Sequence, residues 1–385
     1  MNAGYGCRAN PETMVSFARL RLLFIVAVIA ALWIAELVPP AQGAPAAATA
    51  AATAATTAPS PARAKRERKA GKRQKAPAAK EAAANAATSE TQKAAARRDR
   101  GDRGEWLDPV KDEPAGTHFR SFFSKTVNTE ASYLIYLPPD YETAKDKRYP
   151  VIYWLHGGGG SQRTGDYFIE KLDAAIRAKA APPVIAILVN GVGGSLFSDS
   201  IDGQKPVETV IIRDLIPHVD QTYRTIATRG ARAIEGFSMG GFGSLHLGFK
   251  YPQLFGSVTA LAHAPIRPNS GWPKVDNVWK TGPFAGNEEY FKGNDPFRLV
   301  EKNAAEIKAG TRVRLIVGDA DQPNTVARTK ELHEKMKAMG LPCELTIVPG
   351  VKHSYMNLYD AIGDPVFAYY AQLFAGARQA AALTP

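Results

Sequence analysis

A serine held between glycines, Gly236-Phe237-Ser238-Met239-Gly240, separates a short apolar run from an amphipathic helical pattern. Few arrangements satisfy that order. A serine at a sharp strand-to-helix turn needs small residues two positions to either side, and neither Gly236 nor Gly240 has a Cβ to clash. The helix predicted from Met239 aims free N–H groups and a positive dipole end at the serine. A negative tetrahedral intermediate would be stabilised there. Alone, the pentapeptide also fits an ordinary glycine-rich loop.

Three further segments narrow the choice. The apolar run Tyr149–Leu155 leads straight into His156-Gly157-Gly158-Gly159-Gly160. Glycines at that place let backbone N–H groups approach a carbonyl oxygen. The apolar run Val313–Val317 ends in a loop carrying Asp319 and Asp321, either of which could orient a histidine or cap the helix predicted after it. Of seven histidines, only His333 and His353 follow these carboxylates. His333 lies inside a helical pattern. His353 lies in the loop after the apolar segment Cys343–Val348. The order Ser238, Asp, His353 is that of a nucleophile, an orienting acid and a general base at successive strand ends.

Apolar runs predict strands at 119–127, 131–137, 150–155, 183–189, 232–236, 256–262, 312–318 and 343–349. Helices are predicted at 166–179, 206–221, 239–250, 299–309, 325–339 and 362–377. The first two strands can pair as a hairpin. The later ones alternate with helices and lack period-two patterning, as expected of a mostly parallel sheet covered by helices on both faces. Ligands bind such sheets beyond the carboxyl ends of the strands. Ser238, Asp321, His353 and the 157–160 loop all fall there.

Residues from about Gly116 to Ala375 resemble the esterase D and feruloyl esterase group of α/β hydrolases. The matching segments are Tyr133–Tyr141, Tyr149–Gly158, Leu215–Thr225 and Gly236–Gly241. That group includes carbohydrate esterases, S-formylglutathione hydrolases, enterochelin esterases and mycolyltransferases. The resemblance implies an α/β-hydrolase fold and selects Asp321, third after Gly318, as the acid, with Asp319 as fallback. It also implies oxyanion donors at the N–H groups of Gly158 and Met239. No cofactor and no metal is expected. The substrate would be a small-molecule or carbohydrate ester, handled by a serine carboxylic ester hydrolase. An acyltransferase, a tethered non-catalytic binding protein and a peptidase are the competing readings.

The two ends of the chain differ in kind. Arg19 and Arg21 precede the apolar stretch Leu22–Val38, and Ala41-Gln42-Gly43 follows. Residues 1–43 therefore read as a signal peptide, with an uncleaved membrane anchor as the alternative, and the protein as exported, periplasmic or secreted. Residues 44–104 are an Ala-, Pro-, Lys- and Arg-rich tether without the periodicity to build a core, expected to be disordered. Residues 44–103 hold 14 basic and 5 acidic residues, a net of +9 out of +11 for the chain. Residues 104–385 hold 31 basic and 30 acidic. The basic character thus belongs to the tether, suited to an anionic membrane or cell-wall surface and not to nucleic acid. The esterase domain spans 105–385. Cys7 falls in the leader and Cys343 in a strand, so no disulfide is expected in the mature domain.

Two loops are expected to shape a pocket. One starts at Asn190. The other, 263–297, carries several aromatic residues, of which Trp272 is the candidate to meet substrate. Tyr355, two residues past His353, is a third candidate.

Overall fold

A computed structural model describes residues 105–271 and 273–382. The leader, the tether and Trp272 lie outside the described residues. Eight strands form one sheet in the order β1-β2-β4-β3-β5-β6-β7-β8. They are β1 (Thr117–Ser124), β2 (Thr129–Tyr136), β3 (Val151–Leu155), β4 (Ile185–Val189), β5 (Arg232–Phe237), β6 (Ser257–Leu261), β7 (Arg312–Gly318) and β8 (Cys343–Val348). β2 is antiparallel to β1 and to β4; all other pairs are parallel. All eight expected strands are present, each within two residues of its predicted start.

The helices are α1 (Asp166–Arg177), α2 (207–222), α3 (Met239–Lys250), α4 (Pro273–Thr281), α5 (Glu288–Lys292), α6 (Pro296–Lys302), α7 (Ala304–Lys308), α8 (Pro323–Ala338), α9 (Tyr355–Ile362), α10 (Pro365–Leu373) and α11 (Ala375–Ala382). Three differences from expectation have local causes. The 263–297 stretch is not only loop: α4 and α5 form in it, buried through Val275, Trp279 and Phe291. The helix expected at 299–309 is two pieces, broken at Asn303, whose side-chain amide donates to the Phe249 carbonyl. The 362–377 helix breaks at Gly363, which has φ 68°, and again after Leu373. α2 widens into a π turn over Val210–Leu215, where the Ile216 N–H bonds back to the Ile211 carbonyl. Pro217 follows directly, and its ring would strike the carbonyl four residues back in a regular helix.

Each face of the sheet carries its own core. One packs α2, α3 and the 263–297 region through Phe197, Val219, Phe242, Leu245 and Phe284. The other packs α1, α9 and α10 through Trp154, Phe168, Leu172, Tyr359 and Phe367. This double coverage explains why β3 and β4 are buried at every position. In register, Val189, Leu155 and Gly236 stand side by side, as do Phe237 and Leu261. The ends of β4, β3, β5 and β6 therefore form one rim.

α3 is the element that most needs its glycines. A Cβ on Gly240 would lie 2.0 Å from the Leu155 carbonyl oxygen, and one on Gly236 would lie 2.2 Å from that of Gly240. Glycine is a poor helix former, yet here it lets α3 settle directly on the ends of β3 and β5. Because the obstacle is backbone, Gly240→Ala is expected to destabilise the fold by at least about 2 kcal/mol. Gly376→Ala, which meets nothing within 4 Å, should be neutral or slightly stabilising. Urea unfolding of the two variants checks the contrast.

Candidate active site

Ser238 sits at the β5–α3 turn with φ 54° and ψ −110°. A non-glycine residue at that φ costs about 1–3 kcal/mol unless its surroundings hold it. Here two backbone hydrogen bonds do so. The Ser238 N–H donates to the Leu261 carbonyl at 2.9 Å, and the Ser238 carbonyl accepts from the Ala264 N–H at 2.8 Å. The segment after β6 thus grips the serine from both sides.

His353 Nε2 lies 2.8 Å from Ser238 Oγ. Its Nδ1 lies 2.8 and 2.9 Å from the two Asp321 carboxylate oxygens. A carboxylate only accepts, so Nδ1 carries the proton and Nε2 accepts from the serine hydroxyl. The Asp321 side chain is 0% exposed and that of His353 is 24% exposed. The structure places Asp321, not Asp319, against the histidine. Asp319 instead accepts the Gly350 N–H at 2.6 Å, and so holds the loop on which His353 rides. That loop is pressed onto β7, since a Cβ on Gly318 would lie 2.0 Å from the Val351 carbonyl oxygen. The Phe237 ring lies against the His353 ring, with centroids 4.7 Å apart.

Gly158 and Met239, the residues expected to supply oxyanion donors, lie side by side. A Cβ on Gly158 would lie 3.9 Å from the Met239 Cβ. His156 sets the direction of the Gly158 N–H. The Gly191 N–H donates to His156 Nε2 at 3.2 Å, so Nδ1 holds the proton and donates to the Gly157 carbonyl at 2.9 Å. That carbonyl also accepts the Gly160 N–H at 3.0 Å. In a trans peptide the next N–H points the opposite way. With the Gly157 carbonyl turned back to His156, the Gly158 N–H turns away from it. The sequence showed His156 only as the head of a glycine run.

Two expected substrate contacts are placed otherwise. The Asn190 amide donates to the Glu105 and Trp106 carbonyls, each at 3.0 Å, and its oxygen accepts the Val192 N–H at 3.2 Å. It is committed to backbone because the incoming chain crosses the rim at that point. The Tyr355 hydroxyl donates to the Thr164 carbonyl at 2.6 Å. Its ring packs on Trp154 and Phe237. Trp272 is outside the described residues. Between the two loops expected to shape a substrate pocket lies an open cavity of about 290 Å³, with Ser198, Ser200, Asp202, Gln204, Lys205 and Val278 in its lining but none of Ser238, Asp321 and His353.

Two buried groups near the site were not singled out from sequence. Glu235, three residues before Ser238, accepts from the Tyr359 hydroxyl at 2.5 Å and from Tyr370, and faces Arg314 Nη2 at 3.4 Å. This ties α9, the helix that follows His353, to the strand that carries the serine. His263, inside the segment that grips Ser238, is buried, with Nδ1 3.2 Å from Thr329 Oγ1. That hydroxyl already donates to the Thr325 carbonyl at 2.8 Å, so His263 Nδ1 is the donor.

With this geometry in hand, the likeness to known proteins is informative. Residues 124–380 match the family described as "Putative esterase"; the chain belongs to this esterase family. It is 28% identical over 269 residues to an esterase of Mycobacterium tuberculosis, covering 63% of this chain and 57% of that protein. It is 24% identical over 246 residues to an endo-1,4-beta-xylanase/feruloyl esterase of Xylanibacter ruminicola, covering 62% of this chain and 29% of that protein. The chain thus spans little more than half of the first and under a third of the second. A solved ferulic acid esterase superposes with a TM-score of 0.56 at 22% identity, over 67% of this chain and 98% of that one. The fold is that of the α/β hydrolases.

The buried groups carry a pH consequence. Burial, reinforced by the positive charge of Arg328, pushes His263 down to about 3 from 6.5. Between those values the unfolded chain takes up a proton that the folded chain refuses. Stability therefore falls as pH drops from 6.5 toward 3, by up to about 1.4 kcal/mol per unit. For Glu208, burial opposes ionisation, but His246 and Lys250 outweigh it and hold the carboxyl at about 2, below the ordinary 4.5. Its contribution is present above 4.5 and is lost as pH falls from there through about 2. His263→Asn, keeping a donor toward Thr329, should flatten the loss between pH 7 and 5. Urea unfolding at pH 7, 6 and 5 tests this; an unchanged slope would exonerate His263.

Proposed function

We propose that this chain is an exported serine esterase that hydrolyses carboxylic esters through an acyl-enzyme on Ser238. The observation that carries the reading is the unbroken hydrogen-bonded chain Ser238–His353–Asp321 at the strand carboxyl ends. Ser238 Oγ attacks the ester carbonyl while His353 Nε2 takes its proton. Asp321 holds the imidazole and stabilises its charged form. The N–H groups of Met239 and Gly158 receive the oxyanion; losing one such donor costs about 100- to 1,000-fold in rate. His353 then protonates the departing alcohol. It next takes a proton from water, which attacks the acyl-serine and restores the free hydroxyl.

For substrate, we propose an acyl or feruloyl group on carbohydrate. The similarity to the xylanase-linked feruloyl esterase supports this. The leader supports export, and the net +9 of residues 44–103 supports contact with an anionic membrane or wall surface.

Ser238→Ala should remove turnover of acetyl, butyryl and feruloyl esters while leaving the fold intact; retention of more than a trace would dismiss Ser238 as nucleophile. Asp321→Asn should lower kcat by roughly 10⁴-fold. Asp319→Asn, whose amide oxygen can still accept the Gly350 N–H, should do far less, and the reverse ranking would move the acid. Retention of the protein on anionic vesicles should weaken from roughly 50 mM to 500 mM salt, because exposed charges are screened within about 8 Å at physiological ionic strength. Salt-independent retention would argue against an electrostatic tether.

A further inference from the structure

We propose that Tyr359 is a positioning residue for the general base: through Glu235 it sets where His353 stands relative to Ser238, and so governs turnover without touching substrate. This deepens the esterase reading and rests on it.

The support is a ring of contacts that closes through the strand of the nucleophile. Ser238 Oγ and His353 Nε2 are 2.8 Å apart. Ser354, next in the chain after His353, caps α9 by accepting the Asn357 N–H at 3.3 Å. The base therefore stands directly ahead of a helix cap. At the start of the second turn of α9, the Tyr359 hydroxyl donates to Glu235 Oε1 at 2.5 Å. Glu235 lies on β5, three residues before Ser238.

Neither covalent arm of this ring has slack. Three strand residues cover about 10 Å, and β5 is laddered to β3 on one side and β6 on the other. The arm from Ser354 to Tyr359 is helix, rising about 1.5 Å per residue. Register pairs Trp154 with Glu235 across β3 and β5, and Trp154 Nε1 donates to the Tyr359 hydroxyl at 3.2 Å. That hydroxyl is held by a donor and an acceptor on neighbouring strands, so a shift of α9 strains both bonds. The other ties run elsewhere. Asp321 holds the imidazole from the loop after β7, and Tyr355 reaches the Thr164 carbonyl. Tyr359 adds the reference to β5 itself.

Two features separate this role from ordinary core packing. Tyr359 is 2% exposed and Glu235 0%, so neither can meet an ester, and an effect of Tyr359 on turnover has to pass through His353. The fold also contains a matched residue for comparison. The Tyr370 hydroxyl donates to Glu235 Oε2, and Tyr370 is equally buried. It stands on α10, beyond the break at Gly363. Tyr370 shares the carboxylate and the burial, but not the helix that follows His353.

The test compares Tyr359→Phe with Tyr370→Phe in the full chain, at a temperature where both are folded. Each variant removes one hydroxyl donor from the same buried carboxylate, so urea midpoints should fall to a similar extent. Turnover of p-nitrophenyl acetate by the native chain is measured first; none there counts against the esterase reading and not against this one. In Tyr359→Phe, kcat should fall roughly 10- to 100-fold, the scale of loss that a misplacement of about 1 Å brings. KM should stay close to native. His353 serves both formation and hydrolysis of the acyl-serine, and slowing both alike leaves KM where it was. Labelling of Ser238 by a fluorophosphonate, which needs the same base, should slow by a similar factor. Tyr370→Phe should keep kcat, KM and labelling rate close to native. The same kcat in both variants, a change in Tyr359→Phe confined to KM, or a kcat that merely tracks the urea midpoint would overturn the proposal.

Discussion

Ser238 is held at a φ that serine does not choose, and much of the molecule follows from holding it there. The hydrogen bonds to Leu261 and from Ala264 require β6 beside β5 and a tight turn after it, in which Ala262 is itself at φ 44°. The turn into α3 requires glycine at 236 and 240, because backbone occupies the space of any Cβ. These demands are steric and local. They come from the geometry of a serine at the tip of a strand, and they leave little choice about what stands on either side.

The other half of the site is positioned by polar groups buried away from it. His353 rides on a loop whose two ends are pinned differently. Asp319 holds Gly350 before it. After it, Ser354 caps α9, and Tyr359 on that helix reaches Glu235 on β5. A buried carboxylate without partners would be costly; with two phenols donating and Arg314 beside it, Glu235 becomes a fastening point. Burial and the neighbouring carboxylate push both tyrosine hydroxyls well above their ordinary range. Nucleophile and base are thereby referred to the same strand.

The sheet was legible because a doubly covered parallel sheet writes itself as short apolar runs separated by turns. β3 and β4 could be bounded to within two residues for that reason. The site was legible where its chemistry constrains backbone as well as side chain: Gly236, Gly240 and the 157–160 run mark places where nothing larger fits. Asp321 could not be separated from Asp319 on residues alone, since both stand on the loop after β7 and only the resemblance chose between them. Asn190 and Tyr355 stand at the right end of the sheet, but position in the chain does not say where a side chain points. One was claimed by the backbone of residues 105–106, the other by the Thr164 carbonyl. His156, Glu235 and His263 were obscure for a related reason: their roles lie in hydrogen bonds to segments 35, 124 and 66 residues away.

The segments around the strand ends are held differently from the strand ends themselves. The proposed catalytic groups sit at strand ends and are over-determined by packing. Three segments border the strand ends: the 190–206 loop, the α4–α5 stretch and the chain arriving at Glu105. Each is attached to the rim by a few side chains rather than by the sheet ladder: Asp199 with Thr209 at one, Ser270 with Asp276 and Asn324 at another, and Asn190 with residues 105–106 at the third. Changing such attachments alters the mouth of the site without disturbing the Ser238 turn. Motifs that fix the backbone at the strand ends constrain such segments little, which is why they say so little about a substrate.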